Sequence, residues 1–249
     1  KICMEKGSGC FVFDTNGKKY LDLIGGIATC SVGHANPLIV EAIAMQAEIL
    51  INASNLYYSS PQVILAKKLS DISGLGKCFF SNSGTEAVEA AIKLARKHTG
   101  RNRIIAMRNG FHGRTYGSLS ATWNPLYKKK FGKLVPGFSF VKFGDIKVLE
   151  READADIASV IIEPIQGEGG IIVPPSYYLK EVESLCSKRN ILLIMDEIQT
   201  GNGRTGRYFC YQNYNIRPDI VTTAKGLANG LPIGVTLSKK GIEFEKKDH

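Results

Sequence analysis

Three short stretches of this 249-residue chain carry side chains whose types and spacing could do chemistry together. The last is Thr223-Ala224-Lys225-Gly226. A lysine in apolar company beside a strand end can lose its proton through desolvation and become a nucleophilic amine; taken alone, it is more often a surface residue. Before it comes Asp196-Glu197-Ile198-Gln199, closing the apolar run 191–195. In an α/β sheet the carboxyl ends of strands face the ligand, so an acid there is well placed to meet one. Earlier still, Ser81-Asn82-Ser83-Gly84-Thr85-Glu86 opens a long amphipathic helix. Ser83 as N-cap with Glu86 three residues on fits a capping box. Gly84 allows a close backbone approach, and the amides and dipole of such an end hold phosphate well. Read singly, this is a plain capped helix.

In chain order the three stretches offer a phosphate cradle, an acid for a ring nitrogen and an amine for an aldehyde. Those are the three things pyridoxal phosphate needs. Other residues extend the set. Phe111-His112-Gly113-Arg114-Thr115 follows the apolar run 103–107. Phe111 can stack on a flat cofactor or sit in the core, and Arg114 can clamp a carboxylate with two parallel donors. Glu163-Pro164-Ile165-Gln166-Gly167-Glu168-Gly169-Gly170 follows 157–162, with Glu168 in a glycine-flanked loop that reaches substrate or solvent. Asp196 and Glu197 could form a metal pair, but strand alternation points them to opposite faces, and none of His34, His98, His112 and His249 has metal-motif spacing. No metal is expected. Gly201-Asn202-Gly203-Arg204-Thr205-Gly206 matches GxGxxG, yet Arg207-Tyr208-Phe209-Cys210-Tyr211 does not open a helix, so a dinucleotide fold is not expected.

These residues need a scaffold. Asp14-Thr15-Asn16-Gly17 between 10–13 and 19–23 reads as a hairpin turn. Helical spacing follows from Pro37 to Leu50 and from Pro61 to Leu69. Short apolar runs at 78–80, 103–107, 138–143, 157–162, 191–195, 220–223 and 233–237 read as buried strands, with helices at 84–98 and 176–189. Such alternation predicts an α/β fold with a mostly parallel sheet covered on both faces. The expected division is residues 1–57 as an N-terminal segment and 58–249 as the α/β body.

Bulk composition narrows the classes. Hydrophobic residues make up 44% of the chain, enough for a core, and the formal charge is +9. The basic residues are scattered. Even Lys128-Lys129-Lys130 sits beside aromatics and a glycine, so anionic substrates are favoured over nucleic acid. The six cysteines form no CxxC pair and suit reduced thiols in a cytoplasmic protein. The opening residues do not read as a secretory signal, and no apolar run nears the ~20 residues of a membrane span. The chain lacks an initiator Met and stops on Glu243-Phe244-Glu245-Lys246-Lys247-Asp248-His249; both ends are expected to be cut.

From about Gly9 to Asp248 the sequence resembles the class III aminotransferases, through GGIATCSVGHANP, SNSGTEAVEAAIKLAR, FHGRT, EPIQGEGG, DEIQTGNGRTG and AKGLANGLPIG in family order. The resemblance implies pyridoxal phosphate and the fold type I, aspartate-aminotransferase-like large domain, with 1–57 belonging to the small domain. It implies Ser83, Gly84 and Thr85 on the phosphate, Phe111 on the ring, Asp196 at the pyridine nitrogen and Gln199 near the ring oxygen. Lys225 would bind the cofactor as a Schiff base and then shuttle protons. Arg114 would bind the substrate α-carboxylate, and Glu168 resembles a switch glutamate. The arginine partner of that glutamate, and a TFGGNP-like stretch, have no counterpart here. The implied reaction carries an amino group from an ω-amino donor to 2-oxoglutarate in a cytoplasmic homodimer. N-acetylornithine is the favoured donor, as in arginine biosynthesis, with 4-aminobutyrate and carrier-bound lysine or ornithine as alternatives. A non-catalytic binding protein on the same scaffold is the competing class.

Overall fold

The structure is a computed structural model that describes residues 1–245 and 247–248. Lys246 and His249, of the charged terminal stretch, lie outside the described residues.

The hairpin is present as β2 (Phe11–Asp14) and β3 (Lys19–Leu21), and β1 (Met4–Ser8) adds a third antiparallel strand. The sequence hid β1 because it is almost wholly exposed and has no alternating apolar pattern. A four-residue turn, α1 (Gly25–Ala28), leads to α2 (Pro37–Ile49) and α3 (Ser60–Ser73). Asn36 caps α2, its side chain accepting from the Leu38 N–H, and Pro occupies the first turns of both long helices.

The body is one seven-stranded sheet. Its strands are β4 (Lys77–Ser81), β5 (Arg103–Met107), β6 (Phe138–Val141), β7 (Ile157–Ile162), β8 (Leu192–Asp196), β9 (Ile220–Thr223) and β10 (Gly234–Ser238), in the spatial order β4-β10-β9-β8-β7-β5-β6. Six run one way. β10 runs against both neighbours, Val235 pairing with Thr223 on one side and Phe80 on the other. The sheet is thus mostly parallel, as expected; which strand is the exception was not readable, because buried antiparallel and parallel strands have the same unalternated composition.

Helices α4 (Gly84–Thr99), α5 (Tyr116–Ala121), α6 (Pro125–Lys128), α7 (Ile146–Glu152) and α8 (Tyr178–Lys188) fill the connections. α4 buries Val88, Ala91, Ile92 and Ala95 on one face of the sheet, against Ile104, Ile161, Ile194 and Ile220. α8 buries Leu179, Val182 and Cys186 on the other, with Ile162, Leu193 and Val221. Two apolar layers therefore clamp the sheet. The carboxyl ends of β4, β5, β7, β8 and β9 all finish on one edge, and the amino end of β10 joins them there.

Candidate functional site

That edge opens into a cleft of about 590 Å³. Ser83, Gly84, Thr85, Phe111, Arg114, Glu168, Asp196, Gln199 and Lys225, which come from five different strand ends, all line it. No pair of these stretches is adjacent in the chain; the parallel sheet brings them together.

The β4–α4 junction presents a helix amino end of the kind that suits an anion. Ser83 is extended and its Oγ accepts from the Glu86 N–H at 3.3 Å. The reciprocal arm differs from a capping box: Glu86 reaches one residue further back and accepts from the Asn82 N–H at 2.6 Å and from Asn82 Nδ2 at 3.0 Å. The amides of Gly84 and Thr85 head the helix, where no intrahelical acceptor exists. Ile198 explains the glycine: a Cβ on Gly84 would stand 2.9 Å from its Cδ1. Thr85 Oγ1 lies 2.6 Å from Ser118 Oγ and 2.9 Å from Thr115 Oγ1. Glu89 accepts from the N–H groups of Gly117 and Ser118 at 2.8 and 2.9 Å, anchoring α5 to α4.

β8 delivers Asp196, 3% exposed, to the cleft floor. Its carboxylate accepts from Thr222 Oγ1 at 3.1 Å and the Ile198 N–H at 3.1 Å, and His112 Nδ1 lies 2.7 Å away. Burial works to lower the His112 pKa, but the carboxylates of Asp196 and Glu163 outweigh it and raise it. The other ring nitrogen, Nε2, is buried with no partner among the described residues. Glu163, at the end of β7, accepts from the N–H groups of Phe111 (3.0 Å) and Gly167 (3.2 Å). Burial pushes its carboxyl up to about 7, against the pull of His112 and with help from Asp196.

Glu197 points the other way, as alternation requires. It is fully buried and accepts from Thr200 Oγ1 at 2.6 Å and from the N–H groups of Cys210 (3.0 Å) and Tyr211 (2.8 Å). It anchors the Gly201–Gly206 loop, which runs as turns into a 3-10 turn at Cys210–Tyr214. That loop has its own task. Asn202 Nδ2 donates to the Ala224 carbonyl at 2.9 Å and to Thr223 Oγ1 at 3.1 Å, pinning the backbone that presents Lys225.

Lys225 itself has φ +47. A non-glycine residue held there costs about 1–3 kcal/mol and persists only where the surroundings enforce it, which is common at functional sites. Burial lowers the pKa of its ammonium, although Asp196, Glu163 and Glu168 pull upward. At the cleft mouth, Arg114 and Glu168 are exposed. Phe111 meets Tyr127 edge-on at 6.0 Å, and Tyr127 donates its hydroxyl to Glu168 Oε1 at 2.9 Å.

Sequence reasoning did not single out His112, Glu163, Tyr127 or Asn202. The first two sit inside FHGRT and EPIQGEGG, so the motifs marked the region without their roles. Tyr127 is tied to Glu168 across 41 residues, a contact that no local pattern signals. Among the described residues no cluster of three or more His, Cys, Asp or Glu could hold a metal ion, and no helix is long and apolar enough to cross a membrane.

The family model described as Aminotransferase class-III matches residues 1–245. The acetylornithine aminotransferase of Methanopyrus kandleri is 47% identical over 252 residues, covering 100% of this chain and 65% of that protein. That of Methanocaldococcus jannaschii is 49% identical over 247 residues, covering 97% of this chain and 62% of its own length. The chain therefore spans somewhat less than two thirds of these relatives. Among solved structures, the ornithine aminotransferase of Toxoplasma gondii ME49 superposes with a TM-score of 0.95 at 32% identity, covering 100% of this chain and 62% of that one. The taurine:2-oxoglutarate aminotransferase of Bifidobacterium kashiwanohense, in complex with PLP and glutamate, gives 0.93 at 32% identity, covering 97% and 60%. The matched family is pyridoxal-phosphate-dependent.

Proposed function

The chain belongs to the class III aminotransferases, and we propose that it serves a pyridoxal-phosphate enzyme carrying an amino group from N-acetylornithine to 2-oxoglutarate, a step of arginine biosynthesis. The names of the curated relatives support this donor. The observation that carries the reading is a single cleft lined by Lys225, Asp196 and the amino end of α4.

The residues present fit the cofactor. Two first-turn amides without helical acceptors, beside Ser83, suit a phosphate. The deeply buried Asp196 suits a protonated ring nitrogen, and the desolvated Lys225 amine suits an aldehyde carbon. Phe111 would cover one ring face, and Gln199 would stand near the ring oxygen. When bound, the cofactor supplies a ring into which negative charge from the substrate carbon can spread.

The chain's own work is positioning and proton movement. Arg114 would receive the substrate α-carboxylate with paired donors. That fixes the amine-bearing carbon over the cleft floor. Lys225 Nζ, its proton affinity lowered by burial, would take the proton from that carbon and return it one position away. A positioned base of this kind contributes ~10²–10⁴-fold. Asp196, braced by His112 and Thr222, would keep its charge aimed at the ring. Glu168 would respond to the second carboxylate of the acceptor.

We also propose a cytoplasmic homodimer, and that residues 1–57 form the small-domain segment. Supporting the latter, the three-stranded sheet is separate from the main one, and α2 buries none of its residues.

Borohydride reduction of the cofactor-loaded protein, followed by peptide mass analysis, tests the reading. A pyridoxyl adduct on Lys225 is expected, and its loss in Lys225→Ala together with the amino-transfer half-reaction. An adduct elsewhere, or parental turnover by that variant, would overturn it.

A further inference from the structure

Tyr127 touches both charged groups at the mouth of the cleft. Its hydroxyl donates to Glu168 Oε1 at 2.9 Å. Its ring lies under the Arg114 guanidinium, with Cζ 4.4 Å from the ring centre. Arg114 also lies 5.9 Å from the centre of the Phe111 ring. Among the described residues Arg114 makes no ion pair. A carboxylate and a guanidinium thus meet the same tyrosine without meeting each other. Glu168 stands on a segment with glycines at 167, 169 and 170, so its backbone can adapt, and it lines both the main cleft and a side pocket of about 360 Å³ that contains Tyr127.

We propose that Tyr127 is a positioning residue for substrate specificity: it holds Glu168 toward the side pocket and off Arg114, which keeps the guanidinium open for a substrate carboxylate. The ring contributes separately, since a cation over an aromatic face is favourably held without using its N–H donors. Arg114 therefore stays oriented while its donors stay free. The bond to Glu168 also raises the pKa of the Tyr127 hydroxyl, so the proton that makes the link is retained. Without the hydroxyl, Glu168 is free to swing onto Arg114 and compete with the ligand. This inference rests on the reading that Arg114 receives a carboxylate.

The test uses Tyr127→Phe, which keeps the ring and removes only the hydroxyl. Glutarate serves as an inert dicarboxylate whose affinity for the cofactor-loaded protein is read by calorimetry, with no turnover required. Tyr127→Phe is expected to weaken glutarate about three- to fivefold, the range open to an exposed ion pair. In the E168Q background, where no competing charge exists, the same change is expected to cost less than about twofold, as a coupled pair in a mutant cycle requires. In the parent background the KM for 2-oxoglutarate should rise with kcat nearly unchanged. An equal cost in both backgrounds, or no cost in either, would overturn the role of Tyr127 while leaving Arg114 as the carboxylate site. If Arg114→Gln leaves glutarate affinity unchanged, the underlying reading falls and the inference with it.

Discussion

Replacing Glu163 by Gln should change how stability depends on pH more than it changes stability at any one pH. Glu163 is 7% exposed, and burial is the main reason its carboxyl is pushed from 4.5 to about 7. Below pH 4.5 the group is protonated in the folded and the unfolded chain alike, and its full contribution to stability is present. Between 4.5 and about 7 the unfolded chain ionises while the folded one keeps its proton. Stability therefore falls as pH rises through this window and levels off above it. The gap is about 2.5 pH units, which at ~1.4 kcal/mol per unit is on the order of 3 kcal/mol. Glutamine does not titrate, so its variant lacks this slope. It carries instead a constant cost of ~1–3 kcal/mol, because its amide NH₂ must face the N–H of Phe111 or Gly167. Urea unfolding of the cofactor-free protein at pH 5 and pH 8 separates the two effects. From pH 5 to pH 8 the variant should gain about 2–3 kcal/mol on the parent, whatever its offset. Glu197, also pushed to about 7 by burial, is common to both proteins and cancels. Parallel profiles, with a change under ~1 kcal/mol, would refute the claim that Glu163 is buried as a protonated acid.

Two further outcomes follow from the same geometry. His112→Phe removes one partner of a buried pair, at ~3–5 kcal/mol, but also removes the unpartnered Nε2, which returns ~1–3 kcal/mol. A net loss of about 2 kcal/mol is expected in urea unfolding at pH 7, and a loss under ~0.5 kcal/mol would mean that Asp196 does not depend on it. Gly113→Ala should destabilise by at least ~2 kcal/mol, through overpacking and positive-φ strain together. Gly113 sits at φ +134, and a Cβ there would collide with Thr85 Oγ1 and Ser118 Oγ. Gly132→Ala is the control: φ is +65 and nothing lies within 4 Å, so thermal unfolding should report only the strain cost of ~1 kcal/mol.

Much of the body was legible in the sequence because each signal was local. Unbroken apolar runs such as residues 191–195 can satisfy burial on both faces only inside a covered sheet. Val88, Ala91, Ile92 and Ala95 recur at the helical period. The candidate site was legible for the same reason: Ser83, Asp196 and Lys225 each sit where a strand ends or a helix begins, and α/β sheets expose those ends to ligands. β1 was not legible, since an exposed edge strand needs only a partner and no apolar pattern. The direction of β10 was not legible either, because composition records burial and not polarity along the chain.

What the chain determined by itself was therefore which segments are strands and helices and which side chains stand at their ends. The assembled fold alone decided the pairings between those ends: His112 against Asp196, Asn202 behind the strained Lys225, and Tyr127 between Arg114 and Glu168. Such contacts join residues tens of positions apart, and their energies depend on desolvation and distance. Neither quantity exists until the sheet has closed and water has left the cleft floor.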